Sequence, residues 1–274
     1  MVTKKEKRFI HINIGICLFF LCVSTHAQVG SYLTDRVKVG DLLYLDGGGN
    51  EHFIDYRLWD QDDPPGEPLG VVVYSYYGTA PFAPSGEPAW HGWIMEIGQS
   101  SEMAWAPSGS PCFSNCVSLY AVSGVNTPYN PHFNSKSATG DTCGWQNTYR
   151  FLEFLYAGQS SVLSTDTSPV FHYVFSEKNG VTDFSTKPTM AKTSWYLPAF
   201  GQLRVMYGSM GTVNAALNAC GGTIFTNSGF WWSSSEVGTV DQRGIWSLNY
   251  GGISTVSNNW LKSMLRWVRA FRNF

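Results

Sequence analysis

Aromatic side chains outweigh charged ones in this chain of 274 residues, at 15% against 14%, and 28 glycines accompany them. Rings in that proportion have to be taken out of water. Each tryptophan brings roughly 150–250 Å² of surface together with one N–H donor that needs a partner. The combination predicts a turn-rich fold around a large aromatic core, and it excludes a disordered polar tail.

The N-terminus sets the compartment. Lys4, Lys5, Lys7 and Arg8 precede an apolar run from Ile10 to Val23 that ends in Ser24-Thr25-His26-Ala27. That is the pattern of a signal peptide over residues 1–27, with cleavage after Ala27. The run falls short of the ~20 residues of a membrane span, and no later segment is continuously apolar over that distance. The expectation is an exported protein with no membrane span, placed in the periplasm, on the outer-membrane surface or outside the cell. Loss of the four leader cations and Glu6 moves the formal charge from −2 to −5 over the remaining 247 residues. A mildly acidic chain argues against nucleic acid as a partner.

Cys112, Cys116, Cys143 and Cys220 remain after export. In an oxidising compartment they predict two disulfides, with three connectivities open. Their spacing supplies one C-x-x-x-C and nothing to complete a metal cluster, so no metal or other cofactor is expected.

Organisation follows from local pattern. Val39 to Tyr44 is strand-like and runs into Gly47-Gly48-Gly49; Leu69 to Tyr77, with three consecutive valines, predicts a buried strand, and Trp93 to Ile97 its partner. These elements form a β-rich region over residues 28–105. Residues 106–144 are an irregular cysteine-containing connection. From Trp145 to Ala157 the apolar residues Phe151, Leu152, Phe154 and Leu155 recur at helical spacing, with Gly158 as a left-handed stop. Further helices are expected from Pro198 and over Val213 to Ala219, the latter ending at Gly221-Gly222. Short strands follow at Phe230 to Ser235, Gly244 to Tyr250 and Arg266 to Phe271. The reading favours two lobes.

Four spaced signatures lie in the last third: Trp195-Tyr196-Leu197-Pro198-Ala199 followed by Gln202-Leu203, then Phe230-Trp231-Trp232-Ser233-Ser234-Ser235-Glu236, then Trp246, then Val268-Arg269-Ala270-Phe271. In that order they resemble the Lcl C-terminal, or Fibrobacter major paralogous-domain, family of bacterial surface proteins. The resemblance implies an α+β fold: a C-type-lectin-like domain over 145–274, with two helices and short antiparallel sheets, preceded by a smaller β-rich region packed on it. Val39-Gly40-Asp41, the Pro68 to Val72 block, Gly92-Trp93 and Gly144 to Thr148 are similar to the leader that precedes this domain in gut-bacterial relatives, while the region from Cys112 to Asp141 departs from that pattern.

Each signature residue also has a structural reading. Trp195, Trp232 and Trp246 are core anchors. Pro198 starts a helix, Ser233 to Ser235 bond the backbone, and Glu236 is expected to pair with Arg269. No Gly-x-Ser-x-Gly elbow surrounds the serines, and no histidine follows His172, so no catalytic residues are assigned.

In the family's fold, the segment between the serine block and the closing strand contributes an exposed face. Here it holds Asp241, Gln242, Arg243, Asn249, Tyr250, Ser254, Asn258, Asn259, Trp260, Met264 and Leu265. Rigid aromatics among small polar groups are what adaptable binding surfaces use. Some relatives are variable proteins of diversity-generating retroelements, and the placement and composition here resemble those targets. Three functions stay open: a surface adhesin or receptor-like module that captures a protein or glycan on another cell or surface, a structural subunit of a surface fibre or appendage, and an enzyme of the formylglycine-generating type. The calcium motifs of sugar-capturing lectins are absent, since Glu67-Pro68 continues to Leu69 and Glu87-Pro88 to Ala89.

Overall fold

The valine run organises the fold. Val71, Val72 and Val73 are all fully buried, so the strand β3 (Glu67–Gly78) is covered on both faces rather than on alternate residues. A computed structural model describes residues 36–78, 89–114, 142–158, 162–191, 193–226, 229–236, 245–249 and 261–274. The leader 1–27 and Cys116 lie outside them.

β1 (Leu42–Leu45) and β2 (Glu51–Ile54) form a hairpin on one side of β3. Their turn is built by Asp46, whose Oδ1 accepts from the backbone N–H of Gly48 and of Asn50, each at 2.8 Å. β1 begins at Leu42 rather than Val39 because Gly40 stands at φ +96°, a turn conformation that interrupts a strand. β4 (Ala89–Glu96) pairs antiparallel on the other side of β3, and β9 (Phe271–Asn273) closes the far edge. The order is β2-β1-β3-β4-β9. The β-rich N-terminal region and the chain's last strand therefore share one sheet.

That sheet is strongly coiled. Flat, its edge strands would stand roughly 19 Å apart at ~4.8 Å per strand. Instead Arg272 of β9 forms a two-pronged ion pair with Glu51 of β2, both contacts at 2.6 Å, and the Phe53 and Phe274 rings lie 5.1 Å apart. Leu43, Val72 and Ile94 are sealed on this concave face with Val37. Gly92 permits the curl: a Cβ there would overlap the Tyr74 carbonyl oxygen and lie 2.7 Å from Phe274.

The opposite face carries helices. Leu203 and Met206 of α4 (Phe200–Gly208) and Val213, Ala216 and Leu217 of α5 (Met210–Ala219) pack on Leu42, Val71, Val73, Met95 and Phe271. α5 ends where Gly221 adopts φ +70° and the Gly222 N–H reaches back to the Leu217 carbonyl at 2.7 Å, satisfying an otherwise orphaned end. α4 starts at Phe200, two residues after Pro198, and Gln202 Oε1 accepts from the Ala199 N–H at 3.0 Å.

A second core joins Phe151, Leu152 and Leu155 of α2 (Gly144–Gly158), Val170 and Phe171 of α3 (Pro169–Tyr173), and Trp105. α3 continues as a wider turn over Val174–Lys178. The short helix α1 (Pro111–Ser114) lies before the undescribed stretch. α2 ends at Gly158. β5 (Met103–Ala104) pairs with β8 (Leu265–Arg266), and β6 (Phe230–Glu236) with β7 (Ile245–Asn249).

Two expectations are corrected. The closing strand is not continuous from Arg266 to Phe271. Between β8 and β9 the N–H groups of Val268 and Ala270 donate to side chains, Ser100 Oγ at 2.8 Å and Glu96 Oε1 at 2.7 Å, instead of to a neighbouring strand. No disulfide joins Cys112, Cys143 and Cys220 to one another, and Cys116, the fourth cysteine of the expected pairs, lies outside the described residues. Cys220 caps α5, its thiol donating to the Leu217 carbonyl at 3.4 Å, in a different core from Cys112.

Candidate functional site

The sequence signatures converge in space. Tyr196 bridges Phe271 in antiparallel fashion with backbone bonds of 2.7 and 2.9 Å, Trp231 bridges Trp267, and the Ser234 N–H donates to the Pro198 carbonyl at 2.8 Å. Residues far apart in the chain thus knit into one buried frame.

Each serine of the β6 block has a structural partner. Ser235 Oγ accepts from the Phe200 N–H at 2.9 Å, Ser233 Oγ from the Ser235 N–H at 3.2 Å, and Ser234 Oγ from the Asn147 amide at 3.2 Å. Trp232 is fully buried and donates from its indole to the Met103 carbonyl at 2.8 Å. Trp195 is half-buried, with its backbone held on both sides by Asn179 at 2.9 Å. Pro198 is buried. Glu236 pairs through its backbone with Ile245, and Trp246 lies in β7.

Arg269 is fully buried. Its guanidinium donates to the carbonyl oxygens of Glu96, Ile97 and Thr223 and lies over the Phe225 ring, 4.4 Å from its centre. Burial lowers its pKa to about 10, against the pull of the Glu96 carboxylate.

Glu96 is the hub that sequence reading missed. It sits in the apolar run of β4 with its side chain 2% exposed. Oε1 takes the Ala270 N–H, and Oε2 takes the Tyr173 hydroxyl at 2.9 Å and an ion pair with Lys178. Burial holds its carboxyl above the usual range even with Lys178 alongside, and burial together with Glu96 pushes the Tyr173 hydroxyl well up. The signal available in the sequence was one charged residue inside an otherwise apolar strand, Trp93-Ile94-Met95-Glu96-Ile97. Lys262 is a second such case: fully buried, it donates to the Cys112 carbonyl at 3.0 Å and sits 4.5 Å from the Trp105 ring centre.

Of the expected binding residues, Met264 and Leu265 are exposed at the rim of the frame, at 37% and 54%. Asn249 ends β7 opposite Phe230. Asp241, Gln242, Arg243, Tyr250, Ser254, Asn258, Asn259 and Trp260 lie outside the described residues. Among the described residues no group of three or more metal-ligating side chains converges, and no helix is long and apolar enough to cross a membrane.

No protein-family model matches this chain, and no curated protein matches it either. A solved structure does: the crystal structure of a fimbrial protein from Bacteroides ovatus is similar over 87% of this chain, with a TM-score of 0.60 at 16% identity. The chain spans about half of that protein, 49% of its length. The likeness is one of fold, an α+β arrangement of a coiled antiparallel sheet with helices packed against it.

Proposed function

We propose that this chain is an exported component of a surface fibre or appendage, presenting its C-terminal segment as the face that meets a ligand. The observation that carries the reading is the shared fold with a fimbrial protein over 87% of the chain. The leader pattern of residues 1–27 and the mildly acidic remainder agree with export to the cell surface.

The buried frame supports the second half of the reading. Trp232, Ser233 and Arg269 are locked in the interior while Met264 and Leu265 stand outside it, a division of labour that lets surface residues change without disturbing the core. The same interlocking of signature segments favours the C-type-lectin-like description of the domain. An oxidase of the formylglycine-generating type needs an activated thiol, whereas burial pushes the Cys220 thiol up, away from the thiolate.

The test is cell fractionation. A tagged chain expressed in its native host is followed by immunoblot in sheared surface material, periplasm and medium, with immunogold labelling of intact cells. Recovery in sheared filaments supports the fibre reading. Retention as a soluble periplasmic monomer refutes it. Diversification of the face is tested separately on the gene: a near-copy of the DNA encoding Phe230 to Phe274 beside a reverse-transcriptase gene, with mismatches confined to adenines of the copy, would establish it, and its absence would leave a fixed face.

A further inference from the structure

The β3–β4 pair outruns the sheet. β1 accompanies β3 only to Val71, and β9 accompanies β4 to Trp93, with Phe274 adding backbone bonds of 3.3 and 3.4 Å at Gly92. Beyond these points Ser75–Gly78 and Ala89–His91 pair only with each other among the described residues. This ribbon is aromatic on both faces. Cross-strand register sets Tyr74 beside Trp93 and Tyr76 beside His91 on one face, with ring centres 4.6 and 5.6 Å apart, and Tyr77 beside Trp90 on the other at 5.5 Å. Tyr76 and Tyr77 are exposed, at 36% and 62%.

We propose that this ribbon is a binding platform for an uncharged polysaccharide. Three properties select that occupant. No Asp, Glu, Lys or Arg occurs in Tyr74–Gly78 or Ala89–Trp93, so nothing there complements a charged polymer. The free-standing part, four residues long and two strands wide, offers a face of roughly 130 Å², several-fold below the ~800 Å² per partner of a specific protein interface. Tyr76 and Tyr77 also stand exposed on the two faces of the ribbon, whereas a small apolar ligand needs a concave pocket to leave water. A neutral sugar chain fits these limits: its C–H faces lie on tyrosine and tryptophan rings, its hydroxyls exchange hydrogen bonds with ring O–H and N–H groups, and its length spreads many weak contacts along the strands. Neither Tyr76 nor Tyr77 has a hydrogen-bond partner for its hydroxyl among the described residues, so both remain available to a sugar. The inference does not depend on the fibre reading, because a platform of this kind serves a single exported chain equally well.

The experiment is affinity electrophoresis of the purified exported chain through gels containing mannan, dextran, xylan or laminarin, with heparin as the charged comparison. Tyr76→Ala/Tyr77→Ala is the test variant and Tyr77→Phe the conservative one, with thermal unfolding confirming that both stay folded. The expected result is retardation in at least one neutral gel, weakened by roughly tenfold in the double alanine variant and little changed in Tyr77→Phe. The proposal is overturned by free migration in all four neutral gels, by retardation that the double variant leaves intact, by retardation in heparin alone, or by a double variant whose only defect is lost self-association in sedimentation.

Discussion

Glu96 offers the sharpest test of what holds the C-terminal frame to the sheet. Replacing it by alanine removes the acceptor for the Ala270 N–H and the Tyr173 hydroxyl and strips Lys178 of its partner, beside the buried Arg269. Each buried donor left unsatisfied costs about 1–3 kcal/mol, while Lys178, at 24% exposure, can turn to water. Because these groups share one carboxylate, the losses overlap, and Glu96→Ala should destabilise by about 3–5 kcal/mol, a large part of a typical 5–15 kcal/mol total. Glu96→Gln behaves differently. Its carbonyl keeps the Ala270 bond, its amide faces the Tyr173 oxygen, and Lys178 turns to water. Since burial already holds the Glu96 carboxyl above its usual range, the charge itself is a liability of the folded state. A raised carboxyl contributes stability below its unfolded value that is lost as pH rises through the folded one. Glu96→Gln should therefore cost less than about 1 kcal/mol at neutral pH and flatten this part of the pH dependence. Urea unfolding followed by tryptophan fluorescence at two pH values reads both. If Glu96→Gln is as damaging as Glu96→Ala, the negative charge rather than the hydrogen-bond geometry holds the frame, and the reasoning fails.

Asp41 gives a second pH signature. Burial raises its carboxyl from 3.8 to about 6, so its contribution is greatest below 3.8 and drains away as pH rises to 6. At 1.36 kcal/mol per pH unit the ionised form costs about 3 kcal/mol, and Asp41→Asn should recover much of it at pH 7.5 and nothing at pH 3.5; equal effects at both would contradict the assignment. Gly92→Ala should destabilise by about 2 kcal/mol or more, because the new methyl meets the Tyr74 carbonyl and Phe274 where the sheet coils most tightly. Met264→Ser and Leu265→Ser, exposed at the rim, should change stability by no more than about 0.5 kcal/mol, as expected of a face free to vary, and a larger loss in thermal unfolding would place them in the core.

Much of the fold was legible because it is written in short-range pattern. The helical spacing of Phe151, Leu152 and Leu155, the Gly221-Gly222 stop after α5 and the valine run of β3 each report a local period or a local backbone requirement. The structural role of the β6 serines was legible for the same reason: nothing nearby could activate them. Misses arose where a side chain replaced a backbone partner. Ser100 and Glu96 break the closing strand into β8 and β9, and no period in Arg266 to Phe271 records that. The setting of Arg269 was missed likewise, because its guanidinium donates to carbonyls brought in from residues 96, 97 and 223.

The sequence by itself determined the aromatic core and most of the described helices and strands, since these depend on composition and on neighbours within a turn or two. Only the tertiary structure decided that β9 joins the N-terminal strands in one coiled sheet, that Glu96 and Arg269 become buried neighbours, and that the β3–β4 ribbon projects beyond its sheet with tyrosines exposed. Those outcomes depend on which distant backbone or side chain fills each hydrogen bond and on how far each partner strand reaches, and a one-dimensional pattern of polarity carries neither.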